Sequence, residues 1–151
     1  MPIATSSVKI DLSSENKTEE LAVKISKKLK RGDIVFFFGE MGVGKTTFIK
    51  YLIQEFQRVN KLKQIEVTSP TFNLLNEYQI GKTKINHYDL FRLKSNEEIK
   101  NLDLFSDKQN TITLIEWPQM IKEKPENLIE FNFKYEENYK KRSVYIKGLD
   151  F

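Results

Sequence analysis

Ile34-Val35-Phe36-Phe37-Phe38-Gly39-Glu40-Met41-Gly42-Val43-Gly44-Lys45-Thr46-Thr47 is the stretch from which the rest of the chain is read. An apolar, β-prone run breaks at glycines. Phe48, Ile49, Leu52, Ile53 and Phe56 then recur at helical spacing. The order is strand, loop, helix. Gly39, Gly44, Lys45 and Thr46 fill the P-loop pattern G-x-x-x-x-G-K-[ST] without a gap. Glycines let the backbone curl so that several N–H groups point inward at phosphate oxygens. The helix that opens at Lys45 adds its positive dipole end to the same spot. Lys45 is then placed to reach the β- and γ-phosphates, and the Thr46 hydroxyl to ligate Mg²⁺. A plain glycine turn would also join a strand to a helix, but the intact spacing between both flanks points to phosphate binding. The candidate nucleotide-binding residues are therefore Gly39, Glu40, Met41, Gly42, Val43, Gly44, Lys45, Thr46 and Thr47.

Downstream, Thr111-Ile112-Thr113-Leu114-Ile115-Glu116 repeats the layout of a core strand and ends in an acid. In a P-loop protein a carboxylate at such a strand end holds Mg²⁺ directly or through water. Asp is the usual residue there, and Glu116 has a longer reach. Ile85, His87 and Asp89 share one face of another expected strand, and Asp89 stands at its carboxyl end, where open α/β sheets bind ligands. Asp89 is a candidate for water activation or a metal contact; a strand-end cap or an ion pair with Arg92 is the other reading. His87, the only histidine, reads as a packed structural residue. Between these strands and the P-loop helix lies Ser69-Pro70-Thr71, stiffened by proline and rich in hydroxyls. It suits either a nucleotide switch or a simple turn.

The remaining elements follow from pattern. Val8 to Leu12 alternates as a strand, and Ser13 or Ser14 caps a helix reaching to about Arg31 with Leu21, Ile25 and Leu29 as its buried stripe. Gln57 to Gln64 is an expected surface loop. Leu74 to Gln79 and Lys84 to Tyr88 form a hairpin around Gly81, Ser95 caps a short helix with Glu98 at the capping-box position, and two strands close the chain, with Lys140 and Arg142 beside the nucleotide. The hairpin makes the sheet mixed. The expectation is a single α/β P-loop NTPase domain spanning 1–151, a three-layer sandwich with a mixed central β-sheet.

Composition supports this. A chain of 151 residues with 39% hydrophobic residues fits one domain with a substantial core. The absence of cysteine excludes disulfides and thiolate metal sites. The first fourteen residues are polar, unlike a signal peptide, and no run is long enough to span a bilayer, so a cytoplasmic protein is expected. The net charge of +4 is compatible with an RNA-facing patch but reads more readily as a solvated lysine-rich surface.

Together these pieces resemble the bacterial TsaE (YjeE-like) family, small P-loop ATPases needed for N6-threonylcarbamoyladenosine (t6A) at position 37 of ANN-decoding tRNAs. The resemblance is carried by Gly39 to Thr47, Ser69-Pro70-Thr71-Phe72, His87-Tyr88-Asp89-Leu90-Phe91-Arg92 and Glu116-Trp117-Pro118-Gln119, in that order across most of the chain. It implies ATP/ADP and Mg²⁺ as cofactors, with Thr46 and Glu116 sharing the metal. It implies that Lys45, Asp89 and Glu116 serve hydrolysis, that Thr71 belongs to a switch near the γ-phosphate, and that Trp117 packs at the site. It also implies a TsaD–TsaB heterodimer as the partner that ATP hydrolysis resets, with tRNA engaged through that pair. Family members generally carry Asp where this chain has Glu40, and often Gly-Arg where it has Tyr139-Lys140. A small-molecule P-loop kinase is the alternative; four scattered arginines supply no evident lid. A GTPase is disfavoured because Asn60-Lys61-Leu62-Lys63 lacks the Asp of N-K-x-D and no D-x-x-G occurs.

Overall fold

The structure is a computed structural model that describes residues 7–106 and 109–151; the first six of the fourteen polar N-terminal residues lie outside the described residues. The elements run β1 (Val8–Asp11), α1 (Glu15–Ser26), β2 (Ile34–Phe38), α2 (Lys45–Val59), β3 (Leu75–Ile80), β4 (Thr83–Asp89), α3 (Asn96–Asn101), β5 (Thr111–Glu116), β6 (Leu128–Glu136) and β7 (Lys141–Lys147). The strands form one seven-stranded sheet in the order β1-β7-β6-β2-β5-β4-β3. β2 lies between β5 and β6, parallel to both, and β4 is parallel to β5. The β3–β4 and β6–β7 hairpins and the β1–β7 pair are antiparallel. The sheet is mixed, as the hairpin around Gly81 predicts.

Alternation along β2 explains the layers. Val35 and Phe37 face α1 and α2, and Phe37, Phe48, Phe131 and Phe133 pack ring to ring with centroids 5.2–6.4 Å apart. Ile34 and Phe36 face the other way, onto Ile99 of α3 and the loop residues Leu104 and Ile121. Every residue of β5 is buried, as befits a central strand covered on both faces. The result is a three-layer α/β sandwich in which the P-loop leaves the middle of the sheet at its carboxyl edge.

Two helix boundaries differ from the sequence reading. α1 stops at Ser26, not near Arg31, because the Asp33 carboxylate accepts the Lys30 N–H at 2.9 Å and the Asp33 N–H donates to the Lys30 carbonyl at 3.0 Å. That local turn takes the backbone bonds a further helical turn would need. Leu29 is still buried. α2 runs on through Val59, so Gln57 to Val59 are helix and not loop. Gln57 is buried, and its side-chain carbonyl lies 3.4 Å from the Ile65 N–H. A polar residue that satisfies itself inside is not visible in hydropathy.

Candidate active site

The P-loop backbone has the shape its glycines permit. Gly39 adopts φ +147°, and a Cβ there would stand 2.9 Å from both the Phe133 carbonyl oxygen and the Val43 side chain. Gly44, the residue before α2, has φ +115°. Both values are costly for any other residue. With Gly44 so placed, α2 starts at Lys45 and no side chain caps its first turn, leaving backbone N–H groups directed into the pocket.

That pocket, of 260 Å³, brings together Met41, Gly42, Gly44, Lys45, Thr46 and Thr47 of the loop with Ser69, Thr71, Asp89, Phe91, Glu116, Trp117 and Arg142. The sequence-predicted residues Lys45, Thr46, Thr71, Asp89, Glu116 and Trp117 thus converge. Glu40 is exposed and Val43 is buried in the core, and neither lines the pocket. Lys140 is exposed and away from the pocket, whereas Arg142 lines it. A larger cleft of 510 Å³ lies on the opposite face between α3 and residues 120–123, but it has no P-loop backbone. Size does not select the site here; convergent polar chemistry does.

The sheet register sets the acids. Asp89 and Glu116 are aligned partners at the carboxyl ends of β4 and β5, and Glu116 is also aligned with Phe37, two residues before the loop. The Thr46 hydroxyl donates to Glu116 Oε1 at 2.8 Å, and Glu116 Oε2 lies 2.7 Å from His87 Nε2. Both His87 and Glu116 are almost wholly buried. His87 is packed, as its sequence context suggests, but it also holds the site acid. That contact is what sequence reasoning missed. Among the described residues His87 Nδ1 has no hydrogen-bond partner.

Asp89 is not paired with Arg92. Its Oδ2 accepts from the Thr71 hydroxyl at 2.8 Å and the Ser69 hydroxyl at 3.2 Å, and its Oδ1 accepts the Phe91 N–H at 3.0 Å. Arg92 lies over the exposed Phe72 ring, 5.1 Å from its centroid. The strand-end capping half of that reading holds through Phe91, and the ion-pair half is corrected. The same acid ties residues 69–71 to the strand end, so the hydroxyls of this segment serve Asp89 and not merely their own turn.

Lys45 is buried, and its ammonium donates to the Gly39 carbonyl and sits 3.5 Å from the centroid of the Trp117 ring. Burial pushes its pKa down, and the negative charges of Glu116 and Asp89 oppose that shift. Trp117 follows β5 in the left-handed region, φ +58°, an uncommon conformation for a bulky residue. That geometry turns its ring back over Lys45 and against Phe91, with centroids 4.9 Å apart. Oxygen donors converge where a hard divalent cation could bind: the Thr46 hydroxyl and the Glu116 carboxylate. Among the described residues no cluster of three or more His, Cys, Asp or Glu could form a cage by itself. Two protein oxygens beside a phosphate cradle are the donor set expected for Mg²⁺ shared with a nucleotide.

The model of the family described as threonylcarbamoyl adenosine biosynthesis protein TsaE matches residues 12–144. The chain belongs to the TsaE family. Among curated TsaE proteins, that of Rickettsia bellii is 43% identical over 124 residues, covering 82% of this chain and 83% of its own. That of Rickettsia conorii is 40% identical over 131 residues, 86% of this chain and 73% of its own. The Aquifex aeolicus protein is 34% identical over 136 residues, 90% of this chain and 94% of its own. The crystal structure of Bacillus subtilus YdiB superposes with a TM-score of 0.71 at 22% identity, covering 99% of this chain and 89% of that one. This last likeness speaks for the fold alone, a mixed α/β sandwich. As a TsaE protein the chain has its role in threonylcarbamoyladenosine biosynthesis. No helix among the described residues is long and apolar enough to cross a membrane.

Proposed function

We propose that this TsaE protein is a Mg²⁺-dependent ATP hydrolase that supports t6A modification of tRNA by acting on the TsaD–TsaB pair. The observation that carries the reading is the 2.8 Å bond between Thr46 and Glu116, which joins the first turn of the P-loop helix to the neighbouring strand end. In this reading the glycine-rich backbone and Lys45 bind the phosphates, and Thr46 and Glu116 hold the metal. The metal, when bound, would neutralise charge on the β- and γ-phosphate oxygens. Asp89 orients the attacking water, with Ser69 and Thr71 held beside it, and Trp117 with Phe91 screens Lys45 from solvent. The relatives' names place them in tRNA threonylcarbamoyladenosine biosynthesis, which supports the same setting here.

Hydrolysis by the isolated chain is slow in this reading. Arg31 donates to Asn110, Arg58 pairs with Glu55, and Arg92 covers Phe72. None of these three lines the pocket; Arg142 does, and in this reading it does not meet the γ-phosphate, so a partner supplies that stabilisation. The test is ATP hydrolysis with and without Mg²⁺, alone and with TsaD–TsaB plus tRNA, using Glu116→Ala as the blank. A marked rise with the pair, lost in the variant, is expected. Fast unassisted turnover would argue against partner activation, and no Mg²⁺-dependent turnover in any mixture would overturn the ATPase reading.

A further inference from the structure

The two oxygens of the Glu116 carboxylate have different neighbours. Oε1 takes the Thr46 hydroxyl at 2.8 Å on the pocket side, while Oε2 lies 2.7 Å from His87 Nε2 in the interior. An ionised carboxylate can only accept, so Nε2 is the donor. Both side chains are buried. Among the described residues Nδ1 bonds to nothing, so the ring makes its polar contact with Glu116 alone. The sheet places it there. His87 is aligned with Leu114 of the neighbouring parallel strand, two residues before Glu116 and on the same face. A buried imidazole committed to one oxygen of one acid is the unusual feature.

The length of that acid makes the contact matter. Glu has one more rotatable bond than Asp, so an untethered glutamate at a strand end can turn either one oxygen or both toward a cation. Fixing Oε2 on an imidazole removes the choice and leaves Oε1 for the pocket. Hard cations differ in what they accept. Mg²⁺ demands near-ideal octahedral geometry and suits a single carboxylate oxygen beside phosphates and water. Ca²⁺ takes a larger, more flexible shell and readily binds both oxygens of one carboxylate. We propose that His87 sets the cation preference of this site, holding Glu116 as a one-oxygen donor so that Mg²⁺ is favoured over Ca²⁺. The inference rests on the metal-dependent nucleotide reading above and deepens it. His87 is a positioning residue here, because it acts on the cation only through Glu116.

The experiment measures dissociation constants of the non-hydrolysable ATP analogue AMPPNP in saturating Mg²⁺, in saturating Ca²⁺ and in EDTA. The signal is the fluorescence of Trp117, the chain's only tryptophan, which lines the pocket. Wild type, His87→Asn and His87→Gln are compared. The amide nitrogen of Gln can reach the place of Nε2, that of Asn falls short of it, and both keep a polar group in the interior. Wild type should bind the Mg²⁺ complex more tightly than the Ca²⁺ complex. His87→Asn should weaken the Mg²⁺ complex by about tenfold or more, the usual effect of losing a contact behind a metal ligand. The Ca²⁺ complex should be unchanged or tighter, and binding in EDTA unchanged. His87→Gln should restore the wild-type ratio. Equal weakening of both metal complexes, an equal loss in EDTA, or a ratio that His87→Gln leaves unrestored would overturn the proposal. A wild-type chain that binds AMPPNP but prefers neither metal would overturn it too, and that arm needs no variant. A wild-type chain that binds no AMPPNP in any of the three solutions would overturn the nucleotide reading itself.

Discussion

His87 Nε2 and Glu116 Oε2 lie 2.7 Å apart in the interior, while the other oxygen of the same carboxylate takes the Thr46 hydroxyl at 2.8 Å. One acid is thus fixed from both sides: a neighbouring strand sets its rotamer, and the P-loop helix shares its free edge. Removing the imidazole leaves a buried carboxylate oxygen without a donor, which costs about 1–3 kcal/mol. His87→Leu should lower unfolding stability by that amount in urea. Combined with Glu116→Gln it should cost less than the sum of the two single changes. Additive effects would show that the two groups do not act on each other.

Under the proposed function, Lys45 is a case in which function and stability oppose each other. Burial lowers its pKa, so its charged form is disfavoured in the folded protein, and the two acids offset this only in part. The sign follows from proton binding. Between the lowered folded pKa and the ordinary 10.5 the unfolded chain binds more protons, and stability rises with pH across that window. Below it the full penalty of the buried charge is present. Lys45→Met keeps the volume and removes the charge. It should leave the neutral-pH unfolding midpoint unchanged or higher, while Mg·ATP affinity falls by about tenfold or more. Calorimetric binding and a denaturant titration on one sample decide it; a lowered midpoint with intact binding would reverse the assignment.

The P-loop and Glu116 were legible in the sequence because their chemistry is local. Glycine spacing dictates loop shape, and a strand that ends in an acid needs only its own pattern to be recognised. The His87–Glu116 contact was not, since it depends on β4 lying parallel to β5 in a register that aligns Asp89 with Glu116. Hydropathy contains no register. The Asp89–Arg92 pairing failed for a related reason: three residues of separation after a strand allow contact, yet Ser69 and Thr71 arrive from a distant loop to claim the carboxylate. That Arg142 lines the P-loop pocket while Lys140 does not could not be read from the sequence, because it needs the fold-back of β7 along β6. The early end of α1 could be read from Asp33 and Gly32 only by weighing a side-chain turn against helical periodicity.

Asp33 itself gives a pH-dependent test. Burial raises its pKa above the ordinary 3.8, with the Lys30 backbone N–H and ammonium pulling the other way. An acid whose folded pKa is raised costs stability once ionised, so the penalty is absent below 3.8 and grows as pH rises through the folded value. Asp33→Asn retains a carbonyl to accept the Lys30 N–H at 2.9 Å. The variant should be at least as stable as the wild type at neutral pH, with the difference shrinking as pH falls toward 3.8. Urea midpoints at several pH values measure this, and a difference that widens in acid would contradict it.

Under the proposed function, Asp89 should separate binding from turnover. Its carboxylate gathers Ser69, Thr71 and the Phe91 N–H but touches neither Thr46 nor the loop glycines. Asp89→Asn preserves size and one acceptor oxygen, so residues 69–71 should stay in place and nucleotide affinity should change little. If TsaD–TsaB stimulates hydrolysis as proposed, the stimulated rate should fall by about 10²–10⁴-fold, the usual contribution of a positioned base. Asp89→Ala removes every acceptor and should in addition make the peptide bonds around Pro70 more open to limited proteolysis. Equal loss of ADP affinity in Asp89→Asn would move the residue from the chemical step to the phosphate cradle.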